Sequence, residues 1–286
     1  MTATTATAGE ALASSAPRFD LRSERTSPLL LAKELWAARQ LLVILARKEF
    51  HVRYRRASFG MLWALGLPLL QSLVMAVVFS HIVRVHNAPH YAVFILSGMT
   101  AWIFFVTALS AGSTAIVDNS DLSSKVYFPR LLLPLAQIGT ALYGFVITVG
   151  ILLVLSPILH VGLGLHTLWL IPASVLLIAV AMGFGLVDSA LHVYFRDVRY
   201  IVSAAVIVWM YVTPIIYPPA DVPHALRTVL DINPMTGVVD LFHTATVGAL
   251  GASPVAVLVS IGWALGLLTL GIALHCRYDR VFTDLL

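Results

Sequence analysis

Residues 131–187 read LLLPLAQIGTALYGFVITVGILLVLSPILHVGLGLHTLWLIPASVLLIAVAMGFGLV, 57 positions without one formal charge. An α-helix crosses a hydrocarbon core of ~30 Å with about 20 apolar residues. The run is therefore too long for one crossing and right for two. It breaks between Ser156-Pro157 and His166, where proline, glycine and histidine cluster and a turn is favoured over a continued helix. Two crossings follow, near 131–157 and 167–192.

The same length test applies outward. Phe59–Val83 and Tyr91–Val117 are charge-free apolar runs before this stretch, and Ile201–Tyr217 and Pro254–His275 follow it. Six crossings result. Composition agrees: of 286 residues 59% are hydrophobic and 11% charged, against roughly 25% charged in soluble domains. So much apolar surface needs lipid as its solvent. The chain is read as one all-α membrane domain over 28–286, preceded by a polar, Thr/Ala/Ser-rich tail over 1–27 that lacks a signal peptide's basic start and apolar run. Cys276 is the single cysteine, so no intrachain disulfide can form.

Basic residues orient the spans. With the N-terminus inside, segments 1–58, 118–130, 193–200 and 276–286 carry 10, 2, 2 and 2 Lys and Arg, 16 of the total of 18; only Arg84 and Arg227 fall outside. Both termini are thus expected in the cytoplasm of a bacterial inner membrane. The net charge of +4 becomes a topology signal and a lipid-headgroup contact rather than a nucleic-acid footprint.

Three segments are not spans. Residues 29–56 alternate Leu31, Leu35, Leu42 and Leu45 with Lys33, Glu34, Arg39, Gln40, Arg47 and Lys48, an amphipathic interface helix. It is either a basic anchor or a docking helix for a cytoplasmic partner. The loop 118–130, DNSDLSSKVYFPR, opens with helix-start chemistry at Asn119, Ser120 and Asp121. Its aromatic end, Tyr127-Phe128-Pro129-Arg130, is either a connecting turn in the interface belt or a partner-seeking element. The outer stretch 218–253 holds Pro218, Pro219, Pro223 and Asn233-Pro234. Its semi-apolar pieces, 222–230 and 236–250, suit two short half-inserted helices. Arg196 and Asp197, in the third inner loop, read as a local ion pair of small worth.

Catalytic chemistry is sparse. No GxxxxGK[ST] loop precedes any of the three lysines, so no ATP cradle of that kind is encoded. HExxH and CxxC are missing, as is metal-spaced histidine. Ser253 lies 22 residues from His275, ~33 Å along a helix, too far to act as nucleophile and base. Asp188 and His192, at i and i+4 near the inner end of span four, are the ionisable pair a membrane enzyme would use, though a local cap or pair is the commoner role. Gly262 and Gly266 form a GxxxG that permits close helix packing.

Several short motifs then add up. Arg53-Tyr54-Arg55-Arg56 with Gly60-Met61-Leu62-Trp63 and Pro68-Leu69, then Gly98-Met99-Thr100-Ala101-Trp102, then Phe128-Pro129-Arg130 with Leu133-Pro134, resemble the permeases of ABC-2 type polysaccharide exporters. Phe195-Arg196-Asp197-Val198, Thr213-Pro214-Ile215-Ile216-Tyr217-Pro218 and Asn233-Pro234-Met235 continue the same order. The resemblance covers about 28–286. It implies a homodimer of permeases bound to two copies of a separate ATP-binding subunit, which holds ATP and Mg; this chain would have no cofactor, metal or catalytic residue of its own. The implied cargo is a polyprenyl-diphosphate-linked glycan: galactan, by likeness to actinobacterial members, otherwise O-antigen or teichoic acid. A drug or lipid exporter of the same fold, or a membrane-embedded glycan-modifying enzyme, is the competing reading.

The resemblance also distributes roles. Leu35 and Leu42, on the interface helix, and Asp121, Lys125, Tyr127, Phe128 and Arg130, on the coupling loop, would face the ATPase, as would Arg196 and Asp197. Segment 218–250 would hold the outer gate helices. Arg53, Arg55 and Arg56 would meet the diphosphate, since guanidinium suits bidentate phosphate contact. Trp63, Trp102, Phe104, Phe105 and Tyr143 are candidates to line a sugar path; core or lipid-belt packing is the commoner role for such residues.

Overall fold

The structure is a computed structural model that describes residues 28–54, 62–78, 90–121, 128–248 and 252–278. The 1–27 tail and the ends of the first expected span lie outside the described residues.

Every long element among the described residues is a helix. In chain order these are α1 (Pro28–Ala37), α2 (Arg39–Tyr54), α3 (Leu62–Val77), α4 (Tyr91–Asp118), α5 (Leu132–Ile158), α6 (Leu170–Tyr194), α7 (Val198–Val212), α8 (His224–Ile232), α9 (Thr236–Val247) and α10 (Pro254–Tyr278). Single 3-10 turns at Leu165–Trp169 and Pro219–Asp221 lead into α6 and α8. Four of these helical stretches, α4, α5, α6 with its leading turn, and α10, are apolar and long enough to cross a membrane. Within the expected first span, α3 is apolar and 16 residues long in its described part.

The expected fifth span is shorter than read. It starts earlier, at Val198, and stops at Val212, giving 15 residues and ~22 Å of helix. Pro214 is the cause: the residue before a proline is pushed out of the helical region, and Thr213 is extended at φ −93°, ψ 135°. The interface helix is likewise two segments. Ala38 separates α1 from α2, yet the ladder runs through it, from Ala38 N–H to Glu34 C=O at 2.8 Å and from Leu42 N–H to Ala38 C=O at 3.0 Å.

The core is built from α4, α5, α6 and α10. Helix α4 is the central one, with Phe94, Ile95, Ala101, Phe105 and Ala108 fully buried. Helices α6 and α10 pack tightly through glycine: a Cβ on Gly271 would sit 2.7 Å from Leu186 Cβ, and one on Gly183 2.8 Å from Leu267 Cβ. Small residues that let backbones approach are how helices associate in lipid, where no hydrophobic force pulls them together. The glycines singled out from the sequence behave differently. Gly262 and Gly266 have nothing within 4 Å of a built Cβ, and they line a groove of about 430 Å³ with Trp263 and Leu267 on the open face of α10. Packing within the chain uses the opposite face of the same helix.

Two ends of the bundle are distinct. One carries α1, α2, Phe128 and the α6–α7 turn with most of the described basic side chains; we call it the basic end. The far end carries α8, α9 and the start of α10. Helix α9 is drawn into the bundle, with Val238, Val239, Phe242 and Ala245 fully buried against α4, α6 and α10. Trp263, nine residues and thus ~14 Å down α10 from its far end, donates its indole N–H to Ile232 C=O at 3.0 Å. The turn between α8 and α9 therefore dips well below the ends of the long helices.

Candidate functional site

At the basic end, local sequence builds a platform. Phe128 is only 7% exposed and packs with Leu45, Ala115, Leu132, Leu133 and Ala136, while Leu35, Ala38, Leu41 and Leu42 close over it. Thr140 Oγ1 adds a hydrogen bond to Ala46 C=O at 3.2 Å, pinning α2 to α5. Phe128 is thus not displayed for insertion into a partner. It is the wedge that fixes the interface helix against the loop leaving α4. Leu35 and Leu42, both half-buried, turn the same way, toward Phe128, because the apolar stripe of an amphipathic helix seeks the nearest apolar surface.

What α1 and α2 present outward is a mixed face the leucine count did not reveal. Trp36, Val43 and Ile44 are exposed, with Arg39, Arg47 and Lys48 among them. The Arg39 guanidinium lies 5.0 Å over the Trp36 ring and donates to Trp36 C=O at 2.9 Å. The 3.6-residue period was there to be read, since Trp36, Arg39, Val43 and Arg47 share one side.

Other basic-end candidates divide. Asp121 is exposed at the edge of the described loop, and Arg130 is buried at the start of α5. Arg196 and Asp197 are exposed and do not pair with each other. Their expected ion pair is replaced by an open turn flanked by Phe195 and Tyr200, 65% and 73% exposed. Arg53 closes α2, but its side chain and that of Trp63 lie outside what is described, as do Arg55, Arg56, Lys125 and Tyr127 entirely.

The aromatic candidates are mostly core. Trp102, Phe104 and Phe105 are buried. Phe105 meets Trp209 edge-on at 5.3 Å and Phe184 at 5.9 Å, Trp102 meets Trp209 at 6.4 Å, and Phe104 tilts against Phe145 at 4.7 Å. They hold α4 to α5, α6 and α7. Tyr143 differs: it is 42% exposed on α5, tilted against Phe50 of α2 at 5.0 Å.

Several described histidines lie inside the bundle. His192 is buried. His275, remote from Ser253 in sequence terms, meets Ser189 instead: its Nε2 lies 3.4 Å from Ser189 Oγ, while Nδ1 is 2.8 Å from Gly271 C=O. That contact fixes the ring's tautomer with the hydrogen on Nδ1. Ser189 also donates to Leu186 C=O at 2.9 Å and is fully buried. A serine with no route to a substrate, between two tightly packed helices, reads as a packing element. Among the described residues no cluster of three His, Cys, Asp or Glu side chains could hold a metal.

The first residue of the Asn233-Pro234-Met235 motif is a hub. Asn233, between α8 and α9, is 6% exposed. Its Oδ1 accepts from Trp209 Nε1 at 2.8 Å and from Met235 N–H at 3.0 Å. Its Nδ2 donates to Thr213 Oγ1 at 3.0 Å and to Val212 C=O at 3.4 Å. Asn-Pro signals a turn from sequence alone; nothing in the sequence says which helix that turn would meet.

A helical membrane bundle with an interface helix wedged at its basic end and a dipping segment at the other defines a multi-pass membrane protein. The chain belongs to the ABC-2 type transporter family, whose model matches residues 40–246. It is 33% identical over 219 residues, 74% of this chain and 82% of the relative, to the O-antigen export system permease protein RfbA of Myxococcus xanthus. A protein of the same description from Klebsiella pneumoniae is 26% identical over 243 residues, 83% of this chain and 92% of that one. The capsule polysaccharide export inner-membrane protein CtrC of Neisseria meningitidis is 23% identical over 225 residues, 76% and 82% of the two chains.

Proposed function

We propose that this chain is the permease subunit of an exporter that moves a cell-surface polysaccharide, carried on a polyprenyl diphosphate, from the cytoplasm to the outer face of the inner membrane. The observation that carries the reading is the match to the O-antigen permease over most of both chains, joined to the platform at the basic end. Galactan is the first cargo to test, by likeness to actinobacterial members of the family; O-antigen or teichoic acid are its alternatives. Two permease copies and two copies of an ATP-binding subunit make the working unit, and ATP with Mg is held by that subunit.

In this reading the basic end faces the cytoplasm. The ATPase meets the outward face of α1 and α2, with Trp36, Arg39, Val43 and Arg47, and the loop that ends at Phe128. Because Phe128 joins both elements in one apolar cluster, a push on either is shared by the other. Arg53, Arg55 and Arg56 supply guanidinium groups for the diphosphate, and α8 and α9 form the outer gate. Charge reversal of the three arginines is expected to abolish export while leaving assembly with the ATPase intact; unchanged export would remove them from the path.

Purification of the tagged chain from its native host in mild detergent tests the reading. A P-loop ATPase is expected to co-elute in equal amount, its activity altered by Arg39→Glu with Arg47→Glu on the α2 face. A chain that elutes alone and modifies glycan without ATP would move the function to a membrane-embedded enzyme.

A further inference from the structure

Helix α7 is held very unequally along its length. Toward the basic end its inward face is a single stripe of valines, Val198, Val202 and Val206, and Tyr200, Ile201, Ile207, Val208 and Tyr211 are exposed. At the far end the grip changes in kind. Trp209 is packed by Trp102, Phe105 and Phe184, with ring centroids 5.2–6.4 Å away, and three of the four Asn233 side-chain hydrogen bonds, to Trp209, Val212 and Thr213, fall on or beside it.

The bonds answer a specific need. Because α7 stops at Val212, the Val212 carbonyl has no donor in a following helical turn, and a polar group left unmet in lipid costs several kcal/mol. Asn233 Nδ2 meets the Val212 carbonyl, and Asn233 itself is anchored to the core: its neighbour Ile232 accepts from Trp263 of α10, and α9, which follows, is buried among α4, α6 and α10. The far end of α7 is therefore held to the four-helix core by Asn233 together with the Trp209 ring cluster and the buried Thr213–Ile216 segment, where Tyr91 Oη donates to Ile216 C=O at 2.6 Å. The basic end of α7 has valines against the core and an exposed turn, Phe195–Asp197, leading into it.

We propose that Asn233 is the positioning residue of a pivot: it pins the far end of α7 to the core so that α7 swings about that end, with its displacement greatest at the Phe195–Asp197 turn. A swing of this kind opens the seam between α7 and the core at the basic end while the far end stays sealed. Its use in admitting cargo rests on the exporter reading; the pivot itself does not.

Spin-label distances on the full chain in nanodiscs test it, in a Cys276→Ser background with labelled chains diluted by unlabelled ones. One pair, Tyr211→Cys with Leu258→Cys, spans the far end of α7 and α10. A second, Tyr200→Cys with Leu270→Cys, spans the basic end. A third, Val146→Cys with Leu265→Cys, stays within the core. In the otherwise native chain the far pair is expected narrow and the basic pair about twofold broader or more, as loosely held elements are. Asn233→Ala should broaden the far pair to match the basic pair and leave the core pair unchanged. A far pair as broad as the basic pair before any substitution, or one that stays narrow in Asn233→Ala, overturns the proposal. If Asn233→Ala also broadens the core pair, the fold has been lost, and Trp209→Phe decides by the same reading. That change keeps a six-membered ring in the aromatic cluster and removes the indole N–H with its five-membered ring; a broadened far pair supports the pivot and a narrow one rejects it.

Discussion

Alanine in place of Gly237 should damage this protein more than alanine at either glycine of the GxxxG in α10. A Cβ at Gly237 would lie 2.6 Å from Val257 Cα and closer still to the Ala256 carbonyl. Ordinary contact begins near 3.4 Å, so α9 and α10 must part by roughly 1 Å. The obstacle is backbone, and no rotamer change relieves it. Overpacking of this kind costs about 1–3 kcal/mol, at times more, against about 1 kcal/mol gained from alanine's better helix propensity. A net loss of about 1 kcal/mol follows at Gly237, and about 2 kcal/mol at the upper end of that range. At Gly262 and Gly266 the Cβ meets open space, so only the gain remains. Thermal unfolding of the purified chain in nanodiscs, read by tryptophan emission, ranks the three variants. Gly262→Ala and Gly266→Ala should melt at or above the parent temperature, and Gly237→Ala several degrees below. If the two α10 variants fall as far as Gly237→Ala, or Gly237→Ala melts like the parent, the packing argument is wrong.

Phe128→Ala should cost about 3–5 kcal/mol locally, the range for a large aromatic removed from a core. Because the cluster holds α2 to the start of α5, tryptic cleavage after Arg47 and Lys48 should accelerate while α4 to α6 stay protected; unchanged cleavage would show that α2 is held some other way. Trp102→Ala and Phe105→Ala should lower the amount of folded protein without changing which glycan appears at the surface, and a shift in cargo at normal abundance would return them to the transport path. Single cysteines at Lys33 and Thr228, in a Cys276→Ser chain, should differ in intact cells toward an impermeant maleimide: Thr228→Cys is labelled and Lys33→Cys is not, and the reverse pattern would invert the topology.

The helices that bury their own apolar stripes were the legible part of this fold. Helix α4, expected over 91–117, runs 91–118, and α5 and α10 begin within a residue of expectation, since length and charge alone decide where a segment can leave lipid. Helix α7 was misjudged by several residues at its far end because an apolar run, Thr213–Tyr217, continues past the proline that ends the helix. The apolar stripe of the interface helix was legible in its leucines, which mark the buried side; the displayed side, marked by Trp36 with Arg39, was not, because the tryptophan lies among the polar residues. Least legible were pairings across the bundle. Gly271 with Leu186, Ser189 with His275, and Asn233 with Trp209 join residues 24 to 86 positions apart, and no local pattern announces such partners.

Inverted membrane vesicles from the native host, which expose the cytoplasmic face, test the central claim most directly. They would be loaded with radiolabelled polyprenyl-diphosphate-linked glycan on the outer leaflet and then treated with an impermeant glycosidase. The account predicts that added ATP makes the glycan resistant to the enzyme, and that vesicles depleted of this chain show no such protection. Equal protection without ATP, or without the chain, would contradict it.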